Sequence, residues 1–386
     1  MPHYFDFGAT SAIRPPQVVE AVASFLRDCG ATPGRGGYGR ALEAGRIALH
    51  CRRALMELLG VRGDPGRIAF FQNATHALNT ALWGLVGEGE VLVVTQFDHN
   101  AVLRPAHALA RERGVEVRMV PGDASGALDL EAARRLLDGA RVLVVNAASN
   151  VLGSRLPVRD LVELAREAGA LVVADAAQAA GHLPAAGEVG LADVVAFTGH
   201  KGLLGPQGIG GLWVREGVDV APLLCGGTGG RSEIRDMPPH LPDRLEAGTV
   251  NAPGIAGLLA GCRFVLERGV EELHAEEARL KARLHAELST IEGLRVLSPP
   301  DPEGVGIVTV VSDRLDPATL ASRLDREWGI EARAGLHCAP EAHRVLGTLE
   351  TGALRLSVGW CTTDEDVDQA VRALDALAGH TAVPVL

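Results

Sequence analysis

Between about residues 66 and 215, short β-branched apolar runs alternate with longer amphipathic stretches. The runs fall at 67–71, 91–94, 115–120, 142–145, 171–174, 194–197 and 209–214. Runs this short and this continuous read as strands buried on both faces, and so as a mostly parallel sheet. Segments 130–137 and 161–168 carry apolar residues at helical spacing and predict covering helices. The alternation predicts an α/β domain. Two helical stretches come before it, one opening after Pro15-Pro16 and one over 42–59. After residue 215 a Gly-rich loop (225–230) and a Pro-rich stretch (238–242) break the pattern. A long helical tract, 260–288, then leads to a second α/β segment. It has strands expected at 306–311 and 353–358 and helices at 317–328 and 364–378. The pattern divides the chain into a large domain over 15–258 and a smaller one over 259–386 with segment 1–14, separated by a cleft.

The composition narrows the function. The chain has 386 residues, 47% hydrophobic and 22% charged, which excludes disorder, coiled coil and collagen. A formal charge of −11 repels phosphate backbones and anionic lipid surfaces, so neither nucleic acid nor membrane is an expected partner. No apolar run is long enough to span a bilayer, and Met1–Asp6 has no signal-peptide pattern. The six cysteines form no C-x-x-C pair and no zinc-like cluster, which points to a reduced, cytoplasmic setting and no metal. Only Lys201 and Lys281 are lysines among the 37 basic residues. Chemistry that needs an amine therefore has two candidates. Lys281 lies in the charge-laced run Glu276-Glu277-Ala278-Arg279-Leu280-Lys281-Ala282-Arg283 and is expected to be solvated.

Gly34-Arg35-Gly36-Gly37-Tyr38-Gly39 matches G-x-G-x-x-G, but that fingerprint requires a strand directly before it. The preceding segment reads as helix, so a loop is expected instead. The local signal that carries chemistry is Thr198-Gly199-His200-Lys201-Gly202, followed by Gly205-Pro206-Gln207-Gly208-Ile209-Gly210. It lies just past an expected strand, where α/β sheets place their ligand crevice. Burial there lowers a lysine pKa and makes the amine nucleophilic. The strand at 171–174 runs into Asp175-Ala176-Ala177-Gln178, twenty-six residues before the lysine. A lysine nucleophile with an Asp for a pyridine nitrogen is the minimal constellation of a pyridoxal 5'-phosphate (PLP) enzyme.

At these residues the chain resembles the class V aminotransferase fold, a PLP-dependent transferase fold of type I. Within that fold it resembles the cysteine desulfurase and selenocysteine lyase family with a short active-site loop. The motifs that carry the likeness are D-A-A-Q, T-G-H-K-G-x-x-G-P-x-G-I-G and E-A-G-T-x-N, from Asp6 to Arg355. The resemblance implies that Lys201 bonds the cofactor and Asp175 pairs with its ring nitrogen. It implies that Gln178 meets the phenolic oxygen, and that His99 stacks on the ring and assists proton transfer. Ala74 and Thr75 at a helix start, with Thr198 and His200, would hold the phosphate. Thr249 would reach that phosphate from the partner subunit of a homodimer. Asn150 would touch cofactor and substrate, and Arg355 would clamp the substrate carboxylate.

Cys338, in Arg333-Ala334-Gly335-Leu336-His337-Cys338-Ala339-Pro340, resembles the family's sulfur-accepting cysteine. The resemblance implies conversion of L-cysteine to L-alanine with a persulfide on Cys338, later passed to an acceptor protein or small thiol. Cys51 and Cys262 read as buried hydrophobes, and Cys361 as core packing. Leu336, Tyr38 and the loop 225–230 depart from the family pattern and mark a divergent subgroup. Selenocysteine lyase, or another class V aminotransferase or lyase, is the alternative chemistry. A carrier that has lost catalysis is the alternative without chemistry.

Overall fold

The structure, a computed structural model, describes residues 3–34, 36–230 and 233–379. The expected apolar runs form β2 (Ile68–Phe71), β3 (Val91–Thr95), β4 (Glu116–Val120), β5 (Val142–Asn146), β6 (Leu171–Asp175), β7 (Val194–Thr198) and β8 (Gly210–Val214). They make one sheet in the order β2-β8-β7-β6-β5-β3-β4. Every strand is parallel to its neighbours except β8, which runs antiparallel to both β2 and β7. The helix-free loop 199–209 between β7 and β8 allows this reversal, because an antiparallel pair needs no crossover helix.

Both faces of the sheet are covered, as its continuous apolar strands require. On one face α2 (Gly39–Leu59), α5 (Leu130–Leu136), α6 (Val158–Glu167) and the single turn α7 (Ala185–Glu188) pack with α8 (Ala252–Arg268). On the other lie α3 (Ala74–Leu85) and α4 (Asn100–Arg113). The first helix, α1 (Pro16–Ser24), begins at Pro16 as expected and packs on α8. The segment 34–39 is preceded by helical turns at Phe25–Cys29 and no strand, and α2 opens at Gly39. Gly34 and Gly36 to Tyr38 lie in neither strand nor helix, as the missing strand predicts; Arg35 lies outside the described residues.

A second, antiparallel sheet has the order β12-β13-β10-β9. Its strands are β9 (Leu294–Val296), β10 (Ile307–Ser312), β12 (Arg333–Gly335) and β13 (Ala353–Ser357). The helices α9 (Val270–Leu288), α10 (Pro317–Trp328) and α12 (Asp364–Gly379) cover it and share its core. The N-terminal strand β1 (His3–Tyr4) pairs in parallel with β11 (Ile330–Glu331). A last short helix, α11 (Pro340–Val345), follows the Cys338 loop. No helix among the described residues is long and apolar enough to cross a membrane.

Two sequence expectations are corrected. The tract 260–288 is two helices, because Gly269 takes a backbone φ of 82° that no helix interior accepts. Lys281 is not solvated: it is 2% exposed. The buried residues of α9 are Val270, Leu273, Glu277, Leu280, Lys281, Leu284 and Leu288, one helical stripe, so Glu277 and Lys281 lie on its inward face. The Lys281 ammonium donates to Asp301 O at 2.8 Å and Gly153 O at 3.4 Å. Burial pushes its pKa down to about 8. Glu277 pairs with the buried His182 Nδ1 at 2.9 Å.

Burial opposes charging His182, but Glu277 outweighs it and the net pKa is raised. A raised histidine pKa contributes stability fully below the unfolded value of about 6.5 and loses it as pH rises through the folded value. Glu277→Ala is therefore expected to lower the unfolding free energy by about 3–5 kcal/mol at about pH 6, where a buried charge is left unpaired. The loss should shrink at about pH 9. Urea unfolding at the two pH values checks this, and an equal loss at both would contradict it.

Candidate active site

The order of the large sheet reverses between β3 and β5, and α/β sheets open a crevice beyond the strand ends at such a point. In parallel register Asn146 stands beside Asp175, and Asp175 beside Ala196, two residues before Thr198. The polar ends of β5, β6 and β7 thus reach one edge together. A cavity of about 250 Å³ opens there, lined by Thr75, His99, Asn150, Asp175, Gln178 and Thr198, with His200, Lys201, Cys338 and Arg355. Gly181 and Gly202 let the loops leaving β6 and β7 touch. A Cβ on Gly181, whose φ is 83°, would lie 2.3 Å from Gly202 O, and one on Gly202 would lie 2.5 Å from Ala180 O. No other residue fits either position.

Lys201 stands on the cavity wall, and its amine has no hydrogen-bond partner among the described residues. Burial, with the Arg355 guanidinium, pushes its pKa down to about 8. Asp175 is buried, accepts Ala177 N at 2.9 Å, and has its pKa raised by burial. It is a carboxylate short of positive charge. His99 caps α4, with Nδ1 accepting Ala101 N at 2.9 Å. The network therefore assigns its proton to Nε2. Burial and the nearby Lys201 charge push its pKa down to about 4, so the ring is neutral. Gln178 Nε2 donates one hydrogen to Gly8 O at 2.9 Å and keeps the other.

At the start of α3, Asn73 caps His76 N at 2.9 Å and leaves the first-turn N–H groups, at Ala74 and Thr75, on the cavity wall. Thr198 Oγ1, Asn150 Oδ1 and Arg355 Nε are buried without partners among the described residues. A site with unmet donors at a helix start, an unmet hydroxyl, a nucleophilic amine and an undercompensated carboxylate fits a phosphorylated aldehyde with a basic ring nitrogen. No cluster of metal-binding side chains occurs among the described residues.

The N-terminal segment closes the cavity from the side of the second sheet. Ser11 N donates to His200 O at 2.8 Å, and Ser11 Oγ to Lys201 O at 3.0 Å. Asp6 Oδ1 accepts Arg355 Nη2 at 2.8 Å, while Arg355 Nη1 donates to Asn150 O at 2.9 Å. Gly8 lies against the guanidinium, where a Cβ would come within 3.1 Å of Arg355 Cζ.

Cys338 reaches the cavity from the loop between β12 and α11 and is exposed. Asn150 Nδ2 donates to His337 O at 2.6 Å and Asn100 N to Cys338 O at 2.7 Å, fixing the loop to the large sheet's edge.

Of the residues expected from the sequence, Thr249 alone lies apart from this cavity. It lines a second cavity with Phe70, His76, Gly208 and Asn251, rimmed by the exposed Leu223 and Leu224. Cys51 and Cys262 are fully buried, and burial pushes both thiols up. Cys361 is half-buried and its thiol is raised to about 11 by burial, away from this cavity. Sequence reasoning missed Asp6, Gly8, Asn73, Asn146 and the buried Asp98. Burial pushes the Asp98 carboxyl up to about 8. Asp6 and Gly8 stand at the N-terminal end of the family resemblance, but nothing local to them indicates a contact with Arg355.

Residues 3–370 match the family model described as aminotransferase class-V. The chain is 32% identical to a probable cysteine desulfurase of Methanothermobacter thermautotrophicus, covering 98% of this chain and 95% of the relative. It is 32% identical to a cysteine desulfurase of Haloferax volcanii, covering 97% and 88%. Its fold is similar to the solved apo structure of a cysteine desulfurase from Thermococcus onnurineus NA1. The TM-score is 0.90 at 31% identity, covering 97% of this chain and 94% of that one. The cysteine desulfurase CsdA of Escherichia coli gives a TM-score of 0.86 at 27% identity, covering 97% and 94%. With the Lys201 cavity at its strand ends and a match along almost its whole length, the chain belongs to the aminotransferase class-V family, in the PLP-dependent fold of type I.

Proposed function

We propose that the chain is a PLP-dependent cysteine desulfurase that converts L-cysteine to L-alanine and holds the sulfur as a persulfide on Cys338. The observation that carries this is one cavity lined by amine, carboxylate, imidazole, guanidinium and thiol: Lys201, Asp175, His99, Arg355 and Cys338. Bound at Lys201, PLP supplies a sink for the electron pair left when the substrate loses its α-hydrogen. Asp175 gains the positive partner it lacks by holding a proton on the ring nitrogen. Gln178 directs its spare N–H to the phenolic oxygen, and Ala74, Thr75, Thr198 and His200 hold the phosphate.

Arg355 binds the substrate carboxylate and Asn150 adds a contact beside it. The Lys201 amine takes the α-proton, which a pKa near 8 permits at neutral pH. His99, neutral with its hydrogen on Nε2, donates near the substrate sulfur. The Cys338 thiolate attacks that sulfur, the carbon–sulfur bond breaks, and the carbon fragment takes up protons to leave as alanine. The sulfur leaves later to an acceptor protein or a small thiol. In this reading residues 15–258 form the PLP-binding unit, and 259–386 with 1–14 carry the cysteine loop; 380–386 lie outside the described residues. A second copy of the chain supplies Thr249 to the phosphate, an arrangement supported by the apolar rim of Leu223 and Leu224 around it. A cytoplasmic setting suits a reduced Cys338.

The protein loaded with PLP and given L-cysteine and a thiol reductant is expected to release alanine and sulfide in equal amounts. Cys338→Ser should cut alanine release from cysteine by about a hundredfold or more, since the attacking thiolate is gone. No alanine from wild type would contradict the reading. Selenide release from selenocysteine that survives Cys338→Ser would assign the lyase alternative. Loading of PLP onto the cofactor-free chain, followed by absorbance, should speed up about tenfold per pH unit below about 8 and level above it. An ordinary lysine would still be accelerating at pH 10.

A further inference from the structure

The Cys338 thiol makes no hydrogen bond among the described residues, so the backbone alone sets where the sulfur can reach. That backbone is unusual. His337 and Cys338 are consecutive non-glycine residues with φ of 49° and 59°. Such a backbone is strained for a residue with a side chain and persists only where its surroundings impose it. The main-chain anchors hold the carbonyls of His337 and Cys338; a separate set of contacts holds the His337 side chain.

The His337 ring lies 5.6 Å from that of His343, stacked at 26°. His343 stands on α11, is fully buried, and takes no part in the cavity. Three contacts link the rings in a line: His337 Nε2 to Arg333 O at 3.1 Å, His337 Nδ1 to His343 Nε2 at 3.4 Å, and His343 Nδ1 to Thr348 Oγ1 at 2.8 Å. A carbonyl only accepts, so His337 carries its hydrogen on Nε2 and accepts at Nδ1. His343 must then donate from Nε2 and accept the Thr348 hydroxyl at Nδ1. The chain of bonds runs one way, from Thr348 to Arg333 O, and leaves no ring nitrogen unmet. Thr348 is itself held, its N donating to His343 O at 2.9 Å and its O accepting Gly352 N at 2.8 Å. Burial pushes His337 down to about 3 and His343 to about 4, so both rings stay neutral and the one-way pattern persists.

We propose that His343 is a positioning residue for Cys338: through the ring of His337, and with Thr348 fixing its tautomer, it locks the loop in the left-handed backbone that sets the reach of the thiol. This rests on the reading that Cys338 accepts sulfur. A histidine that only filled space would be replaced better by leucine than by glutamine. A positioning histidine would be replaced better by glutamine, which can donate to His337 Nδ1 and accept from Thr348.

The test compares His343→Leu with His343→Gln in two measurements. In the PLP-loaded enzyme His343→Leu is expected to lower kcat for alanine release about tenfold, as a misplaced reacting group does, with KM for cysteine within about threefold. His343→Gln should stay within about threefold of wild type. In the cofactor-free chain, iodoacetamide labelling read by peptide mass spectrometry should rise about fivefold at Cys338 in His343→Leu, the size of one lost hydrogen bond, with Cys51 and Cys262 unlabelled. Leucine and wild type behaving alike, or leucine and glutamine equally impaired, would overturn the proposal. Should Cys51 and Cys262 become labelled too, the leucine variant has unfolded and Thr348→Val decides. A rise of about twofold confined to Cys338 supports the proposal, and no rise overturns it. Labelling reads the loop whether or not cysteine is the substrate, so failure of the desulfurase reading, seen as no alanine from wild type, is a separate result.

Discussion

The site depends on the parallel register of β5, β6 and β7. Because Asn146 pairs beside Asp175 and Asp175 beside Ala196, the strands end at one level, and each hands a polar residue to the same edge. A slip of one residue would turn every side chain of a strand to the opposite face and take Asp175 out of the cavity. Close packing on both faces holds the strands in that register, since Val172 to Ala174 and Val194 to Phe197 are at most 1% exposed. The loops beyond the strands then need close backbone approach, which Gly181 and Gly202 permit. The chemistry of Lys201 follows from this placement. The same burial that seals the sheet edge disfavours its ammonium form.

The second sheet contributes the side of the cavity that carries Arg355 and Cys338, and the N-terminal segment joins the two. Phe5 O accepts Ser357 N on β13 at 2.7 Å, while a few residues on Ser11 hydrogen-bonds the backbone of His200 and Lys201. Asp6 occupies part of the Arg355 guanidinium and leaves its buried Nε unmet. A buried guanidinium with one carboxylate partner and one free donor is matched to a second carboxylate. His337 and Cys338 complete this wall by reaching across from the small sheet's loop to Asn150 at the large sheet's edge.

Much of the fold was legible in the sequence because its strands are short apolar runs and its helices keep a helical period. The direction of β8 was not, since a buried run looks the same in either direction. The tract 260–288 concealed a break because a single glycine is tolerated in many helices, and only the φ of Gly269 shows that it ends one. Lys281 was misread because its neighbours in sequence are charged. Its neighbours in the helical stripe, Leu273, Leu280, Leu284 and Leu288, are apolar, and period rather than local composition decides the face. In the site, Lys201 and Asp175 were legible because strand ends point to the crevice. Asp6, Gly8 and His343 were not, because their partners are Arg355 and His337, contacts that depend on how separate segments meet in space.

The proposed function requires one cavity to hold both a lysine that binds PLP and a cysteine that takes sulfur. Its most direct test is peptide mass spectrometry on the PLP-loaded protein, treated briefly with L-cysteine in one arm and with borohydride in another. The account predicts a pyridoxyl group on the peptide containing Lys201 and an added sulfur atom on the peptide containing Cys338. A pyridoxyl group on Lys281, or added sulfur on Cys225 or Cys361 with Cys338 unchanged, would contradict it.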